Sequence, residues 1–115
     1  MSKQLKVHII EHARALIANE THWCRHQMAF DPDGAAVSAT DSKATKLCAY
    51  GALIAAAHRM TNDCDRAYRL AGSAVTQFGG SSGLINVNDF EGHAAVLALF
   101  DDVIARRPLL NDEGA

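Results

Sequence analysis

The chain has 115 residues, 49% of them hydrophobic and 21% charged. Those proportions suit one soluble globular domain with a single modest core and exclude a largely disordered chain. Eleven basic and thirteen acidic side chains leave a formal net charge of −2, so no one-signed field draws the protein to nucleic acid or to an anionic membrane.

Three cysteines make no disulfide framework and fit a reducing compartment. The opening Met1-Ser2-Lys3-Gln4 lacks the apolar stretch of a secretory signal. No run approaches the roughly 20 apolar residues that span a bilayer. A cytoplasmic protein without a membrane segment is expected.

The first predicted helix runs from about residue 3 to residue 18. Leu5, Ile9, Ala13, Leu16 and Ile17 form one stripe of a 3.6-residue period, and Asn19 is its expected stop. Residues 20–42 lose this period and form an expected flap. Within it, Asp31-Pro32-Asp33-Gly34 is a turn, because Pro presets φ and Gly accepts positive φ. The flanking segments 27–30 and 35–38 suit a short β-hairpin. A second helix is expected after Asp41 or Ser42, either of which can cap it. Leu47 to Ala57 is apolar or small at every position, which marks a central helix. Gly51 within it lets a neighbouring backbone come close.

The third helix begins near Asn62 or Asp63, with Cys64, Ala67, Tyr68, Ala71, Val75 and Phe78 as its expected buried stripe. Gly79-Gly80-Ser81-Ser82-Gly83 is expected to cap it and then serve as a flexible connection. Residues 84–87 suit a short extended segment. Asn88 or Asp89 then caps a fourth helix from about Phe90 to Arg107, burying His93, Val96, Leu97, Phe100, Val103 and Ile104. Pro108 stops it, and 109–115 reads as a loose tail. The fold expected is all-α: a four-helix orthogonal or bundle-like single domain over 1–115, with a small β-hairpin or flap between helices one and two.

Several constellations could carry chemistry. His8-Ile9-Ile10-Glu11-His12 spells the inverted zinc-peptidase pattern. Two histidines one helical turn apart can hold zinc, and Glu91 or Asp89 could supply a third ligand. Set against that are six histidines in a short chain, which make chance matches easy. His22, Cys24 and His26 alternate, so an extended strand would point all three to one side as an open zinc site. The plainer reading is a loop with Trp23 as a core plug.

Cys48 near the start of the central helix would be a nucleophile if His93 and Asp89 met it; the plainer reading is a buried inert cysteine. Helices two and three have the length of a helix-turn-helix, with Arg66, Arg69, Ser73, Thr76 and Gln77 on a polar face. The negative net charge favours a solvated face instead. The Gly/Ser stretch at 79–83 lacks the Lys-Ser/Thr of a phosphate loop.

Trp23 after the first helix, Cys48-Ala49-Tyr50-Gly51-Ala52-Leu53 on the central helix and Asn88-Asp89 before the last one occur together, in that order. In this combination the chain resembles a family of small bacterial proteins, domain of unknown function family 6197, from Leu5 to Ile104. An aromatic residue often precedes the Asn-Asp pair in that family; Val87 stands there in this chain. The resemblance implies a small helical bacterial protein and brings no reaction, substrate or cofactor. It directs attention to Trp23, Tyr50, Gly51, Asn88 and Asp89 as a ligand-binding or structural cluster.

The leading expectation is a non-catalytic binding or interaction module without a cofactor, whose partner is a second copy or another protein. The alternatives are a small thiol- or metal-dependent hydrolase using Cys48, His93 and Asp89, or His22, Cys24 and His26, and a DNA-binding regulator acting through helix three.

Overall fold

A computed structural model describes residues 2–106. Helix α1 (Ser2–Leu16) buries Val7, Ile9, Ile10 and Ala13, and Ile17 just beyond it is buried too. The stripe is therefore wider than the expected one, and Leu5 and Leu16 lie at its half-buried edge. Asn19 does not end α1 in a left-handed conformation. It is extended (φ −90°, ψ 127°) and caps the short 3₁₀ turn Glu20–His22, its side chain accepting the Thr21 N–H.

The flap holds three two-residue strands: β1 (Ala29–Phe30), β2 (Ala36–Val37) and β3 (Lys46–Leu47). They form an antiparallel sheet in the order β2-β1-β3, with Ala29 opposite both Val37 and Leu47. The expected hairpin turn is present. The Asp31 carboxylate accepts the Asp33 and Ala35 N–H groups, and Gly34 takes φ +85°, a conformation that favours glycine.

Strand β3 was not expected. The sequence places residues 43–48 in the second helix, but the Asp41 carboxylate accepts the Lys43 N–H in a local turn. The following residues extend to pair with β1, which shields an edge strand that sequence periodicity alone does not reveal. Helix α2 (Ala49–Thr61) therefore starts later, with Cys48 itself as the N-cap.

α2 is the hub. Ala49, Ala52, Leu53, Ile54, Ala56 and Ala57 are fully buried, and the helix packs against α1, α3 (Cys64–Val75) and α4 (Gly80–Asn86). Asn62 closes it in the left-handed conformation, and Asp63 caps α3 by accepting the Arg66 N–H. In α3, Ala67, Ala71 and Val75 are buried as expected, as is Phe78 just beyond it. Cys64 and Tyr68 are exposed, because Ala74 rather than those two completes the apolar face.

The region 79–91 departs most from expectation. Gly79 and Gly80 both take positive φ and break the chain after a 3₁₀ turn at Thr76–Phe78. The Gly/Ser stretch and the segment after it are then helical rather than flexible or extended. α4 runs into a π-helical turn, Val87–Glu91. Low helix propensity is overruled by burial of Leu84 at 0% exposure; tertiary packing routinely wins this contest.

The last helix, α5 (His93–Ala105), starts after Gly92, not after Asn88 or Asp89. It buries Val96, Phe100 and Val103, and Phe100 packs on Phe78 with ring centroids 4.7 Å apart. Arg14 of α1 clasps Asp101 of α5 through both carboxylate oxygens, at 2.9 and 3.3 Å. Among the described residues there are thus five α-helices and a small sheet, not four helices and a hairpin. The Pro108 stop and the tail at 109–115 lie outside the described residues.

Candidate functional site

Asn88 is the one buried polar side chain among the described residues, at 1% exposure. An uncompensated amide there would be costly, so its partners define the site. Its Oδ1 accepts from the Trp23 indole Nε1–H at 2.7 Å and from the Ala49 N–H at 2.8 Å. Its Nδ2 donates to the Cys24 carbonyl and to Asp89 Oδ1, each at 3.0 Å. Two lone pairs and two protons are all used, which is the full capacity of an amide. Asn88 therefore caps α2 from a distance and ties the flap, α2 and the π turn together; it does not cap the last helix. The π turn widens the helix locally, a device that re-aims side chains and recurs at functional sites.

Asp89 extends this network. Its Oδ1 also accepts the His26 N–H at 3.0 Å, and its Oδ2 faces His26 Nδ1 at 3.6 Å, an ion-pair distance rather than a hydrogen bond. Partial burial pushes the carboxyl upward. The His26 N–H, the Asn88 amide and the nearby His26 and Arg25 outweigh it and hold Asp89 below the ordinary carboxylate range. A carboxyl lowered on folding stabilises the protein above its unfolded pKa of about 4, and that contribution disappears as pH falls through the lower folded value. Below about pH 4 the parent protein should therefore lose more stability than an Asp89→Asn variant, as urea denaturation at successive pH values will measure.

His26 sits at φ +72°, an uncommon conformation for a residue other than glycine. The Asp89 carboxylate bonded to its N–H helps to hold it there. Arg25 lies over the Trp23 ring, 5.2 Å from its centroid, an attractive cation–π placement.

Cys48 is 5% exposed. Its sulfur accepts the Gly51 N–H at 3.2 Å, and its thiol points to Met28 Sδ at 3.8 Å. Burial raises the thiol above its ordinary range, more than the N–H groups of Gly51 and Tyr50 lower it. Gly51 is the contact point expected of it: a Cβ there would overlap the Met28 carbonyl oxygen, which itself accepts the Cys48 N–H at 3.0 Å.

Cys48, Asn88 and Asp89 border one cleft of about 190 Å³, completed by His26, Gln27, Met28 and Ile85. His93 does not border it. The His93 Nε2–H donates to the Ile17 carbonyl at 2.7 Å, and the ring tilts against Trp23 at 5.4 Å. The Cys48, His93, Asp89 set is therefore not assembled; His26, not His93, is the imidazole on the cleft. Tyr50 is half-buried against the core and lies outside the cleft lining. Trp23 faces a different hollow of about 570 Å³ beside the hairpin turn.

The other proposed clusters are dispersed. His22 ends a 3₁₀ turn and borders a separate hollow with Leu16 and Arg59. Cys24 is buried, donates to the Gln27 carbonyl, and is pushed up to about 12, chiefly by burial. Only His26 of that trio meets the cleft, because residues 22–26 bend rather than run as a strand. His8 and His12 are exposed on α1. Among the described residues, no three His, Cys, Asp or Glu side chains are grouped to hold a metal ion. On α3, Arg66, Arg69 and Ser73 are exposed; in the following 3₁₀ turn Thr76 is exposed and Gln77 half-buried.

Met28, Gln27 and Ile85 escaped the sequence reading. They come from a hairpin strand edge and from a segment expected to be extended, and no motif marks them. No curated protein and no solved structure matches the chain. A family model described as a family of unknown function matches residues 1–106, the whole cluster included, and the chain belongs to that family, DUF6197.

Proposed function

We propose that the protein is a non-catalytic binding module whose ligand enters the cleft between the flap, the first turn of α2 and the π turn. The observation that carries this reading is the state of the α2 N-terminus. The Ala49 N–H is bound by Asn88, the Gly51 N–H by the Cys48 sulfur and the Ala52 N–H by the Cys48 carbonyl. A thiol enzyme needs a thiolate and free N–H donors for a developing oxyanion. Here the thiol is held protonated and those donors are occupied. What is left is a small pocket that mixes Met28, Ile85 and Cys48 with a few polar groups, the usual make-up of a ligand site. The free state of Cys24, Cys48 and Cys64 supports a reducing, cytoplasmic setting. Phe90, next to Asp89 in sequence and 77% exposed, supports a protein partner or a second copy; light scattering will show a second copy as a mass above the monomer.

Two measurements test this reading. In a Cys64→Ser background, alkylation of Cys48 should keep rising about tenfold per pH unit, without a plateau, between about pH 5 and pH 9. A plateau near neutrality would mark an acidified nucleophile and favour the hydrolase reading. Titration with imidazole, methylguanidinium and isopropanol should give saturable amide shifts at Gln27, Met28 and Ile85. Shifts that stay linear, or that saturate only elsewhere, end the assignment of the cleft.

A further inference from the structure

We propose that the sulfur atoms of Cys48 and Met28 form a binding site for a soft monovalent metal ion, Cu(I), with its third position open to the cleft bordered by His26. This rests on the cleft being a binding site and names the chemistry of its ligand. Cys48 Sγ and Met28 Sδ are 3.8 Å apart and line the same cleft. Two metal–sulfur bonds of about 2.3 Å span that separation at an angle of about 110°, the bend of a three- or four-coordinate site. The thiol proton lying between the two sulfurs occupies the place the metal would take.

Ligand type selects the ion. Thiolate with thioether favours Cu(I), whereas calcium, magnesium and manganese prefer oxygen, and structural zinc asks for four nitrogen or sulfur ligands. Charge agrees: one thiolate and one Cu(I) are neutral together, so the buried pair escapes the penalty of an isolated ion. The Gly51 N–H bonded to Sγ offsets part of the cost of a buried thiolate, and the bound cation offsets the rest. His26 borders the same cleft, its Nδ1 3.6 Å from the Asp89 carboxylate.

Binding exchanges one proton for one Cu(I). The S–H bond breaks, the proton goes to buffer, the S–Cu bond forms, and copper stays in the +1 state throughout.

The test is an anaerobic titration of the Cys64→Ser protein with Cu(I) against a chromophoric Cu(I) chelator. One equivalent should bind, with a thiolate-to-copper ultraviolet band and release of about one proton per copper at neutral pH. Cys48→Ser should abolish the band, and serine keeps the helix cap. Met28→Leu should weaken binding by about tenfold or more, while Cys24→Ser leaves it unchanged. Circular dichroism checks the fold of each variant. Retention of the band in Cys48→Ser, its loss only in Cys24→Ser, or unchanged affinity in Met28→Leu overturns the site. If Cu(I) fails while the small-molecule probes still saturate Gln27, Met28 and Ile85, the metal assignment falls and the binding module stands.

Discussion

Asn88→Ala is expected to lower the unfolding free energy by about 3–5 kcal/mol, the largest loss from any single polar truncation in this chain. The side chain is 1% exposed and makes four hydrogen bonds. Alanine leaves the Trp23 indole N–H, the Ala49 N–H and the Cys24 carbonyl without their partner, and each stranded buried group costs about 1–3 kcal/mol. The void adds to the cost. Urea denaturation followed by Trp23 fluorescence measures it, and the indole emission should shift as its N–H loses its acceptor. Asn88→Asp separates shape from bonding. It keeps an acceptor for Trp23 and Ala49 but sets an oxygen against the Cys24 carbonyl and the Asp89 carboxylate, so it should be nearly as damaging. A loss below about 1 kcal/mol in both variants would show that the network is not what joins the flap to α2.

Gly51→Ala should destabilise by about 2 kcal/mol or more, although alanine is the better helix former by about 1 kcal/mol. The new Cβ meets the Met28 carbonyl oxygen, a backbone atom that cannot swing aside. The flap must shift, and with it the bond from the Cys48 N–H to that oxygen. Hydrogen exchange at Cys48 should accelerate more than at Leu53. Gly72→Ala is the control: nothing lies within 4 Å of its Cβ position in α3, so the same change there should stabilise by up to about 1 kcal/mol. Equal signs at the two positions would refute the close-approach argument.

The parts of the fold legible in the sequence are those written in local chemistry. The Asp31-Pro32-Asp33-Gly34 turn, the Asp63 cap and the apolar run of α2 each depend on neighbours within a few positions; the turn and the cap are where they were expected, and the run is central as expected although its helix begins only at Ala49. Strand β3 was illegible because its partner is β1, about seventeen residues away, and two residues carry no period. α4 was misread because Gly and Ser mark loops by propensity, while burial of Leu84 decides the matter. At the site, the sequence singles out Asn88, Asp89 and Cys48, which share one cleft, but suggests only local roles for the Asn-Asp pair. Asn88 serves Ala49, thirty-nine positions earlier, and an Asn-Asp pair looks the same in sequence whether it caps its own helix or another. The sequence reads His26 as one of three alternating zinc candidates with His22 and Cys24; its place at the cleft depends instead on a bend held by Asp89.

The joint made by Asn88 also orders events during synthesis. Trp23, Cys24 and Ala49 leave the ribosome well before residue 88 does, and chains grow at about 5–20 residues per second. Until that amide emerges, the indole N–H and the Ala49 N–H have only water to bond. The nascent amino-terminal half can gather its apolar face but cannot complete its interior, so the final stitch of this protein is set late in translation.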